Sequence, residues 1–235
     1  MRVGLFAALC AAGLMYSCGL ETVPSLVAPN VNYADGTLVT DSQLSMIHDA
    51  GRYEGSSFQG YVVYYKIYPI SNTADFARLL ADRSSLSSTP TVAQLGNLGY
   101  QSFTASNNNS GTSSGIEQLL VKADDEEKIT LDFDAFLQSP DSTIAHPLLE
   151  VDGVAAPKPY LYRTGALVGT DSQSFYSLRT AVQRDIDMAS TMTTQELSEH
   201  EFEINVFVAA YGVTNALVEV YSSPAPWGVI RPVEP

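Results

Sequence analysis

Two stretches of the chain alternate apolar side chains with a period of two. Gly60-Tyr61-Val62-Val63-Tyr64-Tyr65-Lys66-Ile67-Tyr68 places Tyr61, Val63, Tyr65 and Ile67 on one face, and Val62, Tyr64, Lys66 and Tyr68 on the other. Both faces are mostly apolar, and β-branched and aromatic residues dominate. The pattern predicts a central strand, covered on at least one side and closed by Pro69. Glu201 to Val213 places Phe202, Ile204, Val206 and Val208 on one face. Thr214-Asn215 then turns the chain into a strand over Ala216 to Tyr221, which Pro224 and Pro226 end. The tail Val229 to Pro235 reads as an extended edge.

Between these strands the period changes. Phe76, Leu79, Leu80 and Arg83 recur at helical spacing behind Asn72 or Thr73, which predicts a helix from Ala74 to about Arg83. Pro90 opens and Gly99 follows a second short helix over Thr91 to Leu98. Ser106 to Gly115 is a polar loop. Ile116 to Ala123 and Lys128 to Phe136 alternate on either side of Asp124-Asp125-Glu126-Glu127, which predicts a hairpin. Glu150 to Gly153 and Pro157 to Pro159 read as turns, and Tyr160 to Thr164 as a short strand. Residues 173–199 admit a helix through Val182, Ile186 and Ala189, against which their Ser and Thr density argues. Val23 to Val31 suits a first edge strand, where proline is tolerated.

The chain begins with Met1-Arg2-Val3, and no charge falls between Val3 and Met15. A short positive start and a short apolar core describe a bacterial secretion signal. The apolar run is well below the ~20 residues of a membrane span. It ends in Leu14-Met15-Tyr16-Ser17-Cys18. This resembles the lipobox of bacterial lipoproteins, in which a small residue precedes the modified cysteine. Met15 and Tyr16 stand where Leu and a small residue are usual, which resembles the looser lipoboxes of spirochaete lipoproteins. The resemblance implies cleavage after Ser17, a diacylglycerol thioether on Cys18 and an acylated amine. It also implies attachment to the cell envelope, at the outer membrane on its periplasmic or surface face. Two or three chains, at ~0.8 kcal/mol per buried methylene, hold a protein on a membrane without help from basic residues. Cys10 leaves with the signal and is no disulfide partner. Ordinary secretory cleavage, with Cys18 incidental, is the alternative.

Gly60 to Tyr68 is similar to the third strand of fibronectin type III domains. The stretch from Phe202 to Pro224 is similar to that family's closing strands, which end in Ser and Pro. With the lipobox, the same segments also resemble uncharacterised spirochaete lipoproteins, which imply no activity. The interval from Tyr68 to Phe202 is longer than one domain of ~100 residues needs, and Trp227 lies at the end rather than in a second strand. The expected fold is therefore mainly β, an antiparallel two-layer sandwich with a large, partly helical insertion over about 70–200. A closed β-barrel is the alternative. The organisation expected is a signal over 1–17, a tether with an edge strand over 18–36, and the sandwich over 37–235.

Charge narrows the partners. A net charge of −14 repels nucleic-acid phosphates and anionic membrane surfaces. Thirteen Tyr and nine Phe against five Met and one Trp favour sheets over helical bundles.

The chemistry is sparse. His48, His146 and His200 have no partner at metal-ligand spacing and read as surface residues. No nucleophile elbow or phosphate loop appears. Asp132/Asp134, Asp185/Asp187 and Glu201/Glu203 each put two acids on one strand face, which suits glycoside hydrolysis, calcium or simply a solvated surface. Asp124 to Glu127 reads as a charged hairpin tip, with calcium as the alternative. Tyr61, Tyr64, Tyr65 and Tyr68 are candidates for a protein or glycan contact, because tyrosine joins apolar area to a polar tip; packing in the core is the competing role. The expectation is a lipid-anchored envelope protein with a non-catalytic binding or scaffolding domain and no cofactor or metal. The alternatives are a glycan hydrolase using paired carboxylates and a lipocalin-like carrier of an apolar ligand.

Overall fold

A computed structural model describes residues 26–31, 40–70, 73–86, 88–106, 117–133, 147–163, 187–189 and 201–231. The fold is mainly β and consists of two largely antiparallel six-stranded sheets. The first runs β1 (Thr40–Asp41), β12 (Ala225–Ile230), β10 (Glu201–Val213), β3 (Phe58–Ile70) and β4 (Gln101–Ser102), with β11 (Glu219–Tyr221) paired to β10. The second runs β2 (Gln43–Ile47), β7 (Lys128–Asp132), β8 (Leu148–Val151), β9 (Val154–Tyr162), β5 (Thr104–Ser106) and β6 (Glu117–Gln118). Five of the six strands in the second sheet come from the segment expected as an insertion, so that segment builds one layer of the sandwich.

Period-two alternation explains the layering. On β3, Tyr61, Val63, Tyr65 and Ile67 point inward and meet Ile204, Val206 and Val208 of β10 and Trp227 of β12. Across the gap they meet Leu44 and Met46 of β2, Ile129 and Leu131 of β7, and Leu161 of β9. These side chains fill the space between the two sheets, which are joined where β1 runs on into β2 and β4 into β5. Each buried aliphatic or Phe side chain contributes ~1.5–3 kcal/mol here.

The opposite face of the first sheet is also covered. Helix α1 (Thr73–Ser85) lays Leu79 on Tyr68 and Val229. Helix α2 (Val92–Asn97) lays Leu95 among Tyr64, Tyr100 and Phe207. Its start is fixed by a capping box: the Gln94 amide donates to Thr91 Oγ1, and the Thr91 amide to Gln94 Oε1. Both helices lie where helical spacing predicts them.

Four expectations are corrected. The hairpin over 116–136 does not form. Residues 128–132 pair with β2 on one side and β8 on the other, with Leu131 opposite Leu44. Of the segment before Asp124, Glu117–Gln118 pairs with β5 in the second sheet, and Val121 bridges to β3 of the first, where the amides and carbonyls of Tyr61 and Val121 exchange hydrogen bonds. Gly60 admits this crossing, since its φ is 154° and a Cβ would lie 2.6 Å from the Val121 carbonyl oxygen. Second, Pro157 and Pro159 lie within β9, in the interval between its paired residues Ala155 and Tyr160, where no ladder amide is needed. Third, the C-terminal strand begins at Ala225 and lies inside the sheet, between β10 and β1. It accommodates Pro226 at a register shift opposite Val206 and Phe207. Fourth, residues 26–31 of the expected first strand are not a strand, although Leu26 is buried in the core. Similarly, β3 runs one residue beyond Pro69.

Candidate functional site

The turn between β2 and β3 builds an open aromatic cleft. After Ile47 the chain makes a 3-10 turn over Ala50–Arg52. It then reverses through Gly55, whose φ of 70° suits glycine, and enters β3 at Phe58. The loop before β7 folds against this turn. The His48 amide donates to the Glu127 carbonyl at 2.9 Å, and the Glu126 amide to the His48 carbonyl at 3.0 Å. The Ala50 amide donates to Asp125 Oδ1 at 3.0 Å. Between the two loops lies a cleft of about 490 Å³, lined by His48, Ala50, Gly51, Tyr53, Glu54, Phe58 and Asp125.

Its wall is a stack of rings. Tyr53 and Phe58 lie 4.2 Å apart between centroids at an interplanar angle of 20°. The His48 ring is nearly parallel to both, at 5.8 and 5.4 Å. Tyr61 meets all three edge-on from the core side. His48 Nδ1 and the Tyr61 hydroxyl are 2.7 Å apart, a hydrogen bond that fixes the imidazole. Burial raises the phenol pKa of Tyr61 and that of Tyr53 above the ordinary tyrosine value, so both are neutral at physiological pH. The rim is acidic, with Glu54 and Asp125 both exposed.

Of the residues singled out in the sequence, His48 and Asp125 of the acidic tip line the cleft and Tyr61 backs it. Tyr61, Tyr64, Tyr65 and Tyr68 are 2%, 8%, 0% and 1% exposed, so they are core residues and form no binding surface. Both faces of β3 are covered, one by the second sheet and one by the helices. Ser17 and Cys18 lie outside the described residues, as do His146, His200, Asp134 and Asp185. His48, expected at the surface, is buried under its ring neighbours.

Asp132, Asp187 and Glu203, expected on solvated faces, are buried and paired. Asp187 accepts from Arg163 Nε at 2.9 Å, from Arg163 Nη2 at 2.7 Å and from the Tyr65 hydroxyl at 2.8 Å. Asp132 accepts from Gln43 Nε2 at 2.6 Å, and Glu203 from Arg231 Nη2 at 2.6 Å. Under α1, Lys66 Nζ donates to Asp82 Oδ2 and to the Leu98 carbonyl, both at 2.6 Å. The Tyr68 hydroxyl donates to the same carboxylate oxygen at 2.7 Å. These groups fasten elements of the fold together. Among the described residues no three His, Cys, Asp or Glu converge to hold a metal ion. No helix of the described residues is long and apolar enough to cross a membrane.

Sequence reasoning missed the cleft because its parts are distant in the chain. Tyr53 and Phe58 sit in a turn without periodicity, and Asp125 joins them only through the docked loop. A cluster of aromatics beside glycines between two strands was the available signal.

No protein-family model, curated protein or solved structure matches this chain.

Proposed function

We propose that this chain is a lipid-anchored envelope protein whose β-sandwich is a non-catalytic binding domain, with the cleft of His48, Tyr53 and Phe58 as its binding site. The anchor rests on residues 1–18, where a short apolar run ends in Ser17-Cys18. The binding role rests on the cleft, which is the observation that carries the reading. Its volume of about 490 Å³ falls in the range of ligand sites. Its aromatic wall is built on the sandwich, whereas Asp82, Asp132, Asp187 and Glu203 are spent on ion pairs and hydrogen bonds within the fold.

Two measurements test the two halves. Expression in a bacterial host with an alkyne-tagged palmitate should label the wild type and send it to the detergent phase. Cys18→Ala should abolish both, and equal labelling of the variant would remove the anchor. For the domain, ligand-observed NMR against a panel of sugars, amines and amino acids should give saturable binding that Phe58→Ala weakens about tenfold or more. A panel without a saturable binder sets the binding role of the cleft aside.

A further inference from the structure

The lining of the cleft also specifies a charge. It contains two carboxylates, Glu54 and Asp125, and neither lysine nor arginine. Arg52, although adjacent in sequence, is not part of the lining and directs its guanidinium to the Ala28 carbonyl at 3.1 Å. The Asp125 carboxylate is fixed at the rim because Oδ1 accepts the Ala50 amide. The backbone bonds between His48 and residues 126–127 hold the loop that carries it. The negative rim therefore exists before any ligand arrives, and a net charge of −14 attracts cations toward it.

We propose that the cleft binds a small alkylammonium ion, its head against the half-buried Phe58 ring at the edge of the aromatic stack and between Glu54 and Asp125. The inference rests on the binding role proposed above and gives it a ligand class. Three features select this class. Aromatic rings attract a cation placed within ~6 Å of a ring centroid, and alkylated ammonium ions are the cations best suited to them because little hydration is lost. The two rim carboxylates disfavour anions. A bare metal ion finds no third ligand among the described residues. The open apolar wall accepts methyl or methylene groups that a hydrated metal does not carry.

The probes are choline, its neutral isostere 3,3-dimethylbutan-1-ol, and glucose, titrated into the full chain by NMR. Choline should bind saturably and shift the ring signals of Phe58 and Tyr53. It should bind about tenfold or more tightly than the neutral alcohol, and more weakly as salt rises. The double variant Glu54→Gln with Asp125→Asn keeps an acceptor for the Ala50 amide and changes only exposed side chains. It should keep the wild-type melting temperature and lose most of the preference for choline over the alcohol. Equal binding of choline and the alcohol, or a preference that survives in the double variant, overturns the proposal. Binding of glucose alone, weakened by Phe58→Ala, removes the cation and leaves the cleft a binding site. If none of the three binds, the alkylammonium ligand is rejected, and the wider panel then decides whether the cleft binds anything at all.

Discussion

Asp187 shows how a residue read as surface decoration becomes structural. It receives both arms of the Arg163 guanidinium and the Tyr65 hydroxyl, with both charged side chains wholly buried. Removing one partner strands the other charge away from water. Asp187→Ala should therefore destabilise the fold by ~3–5 kcal/mol in urea unfolding. A loss below 1 kcal/mol would show that water reaches the pair. Alternation along the chain assigns Tyr65 to an inward face correctly. It cannot state that an acid 122 positions later bonds to it. The same blindness applies to Glu203 and Arg231, and to Asp132 and Gln43. Their residue types suggested solvent, whereas burial with a partner is the other stable state for a charge.

At the level of elements, legibility depends on whether the cause is local. Helix α2 was readable because its cap, first turn and terminal glycine sit within ten residues. Thr91→Ala should cost about 1 kcal/mol, measured as a shift of the urea midpoint. The strand cores of β3 and β10 were readable for the same reason. The partner of β7 was not, because a strand's periodicity fixes which way its side chains face and says nothing about the strand beside it. The hairpin of β10 and β11 carries a second test. Leu217 sits in its turn with φ of 60° and 85% exposed. A leucine gains nothing there to offset a left-handed backbone that asparagine or glycine adopts readily. Leu217→Asn should raise stability by about 0.5–1 kcal/mol, and an unchanged or lowered melting temperature would contradict the strain.

For the whole molecule, the buried phenols set an upper pH limit. Burial pushes Tyr100 up to about 12 and raises Tyr61, Tyr64 and Tyr68 as well. In the unfolded chain a tyrosine ionises near 10. Above that pH the unfolded state binds fewer protons than the native one, so stability falls as pH rises. Tyr100 contributes its full stabilisation below pH ~10 and loses it toward 12, while the other phenols go on losing theirs at higher pH, at up to ~1.4 kcal/mol per pH unit for each. Phenolate absorbance near 295 nm should thus rise for the buried set together with the loss of circular dichroism. Ionisation of the full set at lower pH, with the fold intact, would contradict their burial. The two-layer β class and the helical cover were foreseeable at this scale, whereas the cleft was not, because it exists only once separate loops meet.

The central pairing of β3 with β10 joins residues separated by more than half of the chain. During synthesis, β3 leaves the ribosome without its principal neighbour. At roughly 5–20 residues per second that neighbour is on the order of ten seconds away. The first sheet therefore cannot close until the last quarter of the polypeptide has been made. The export signal proposed over residues 1–17 would therefore act on a threadable chain, because the first sheet is still open when a translocation channel engages it.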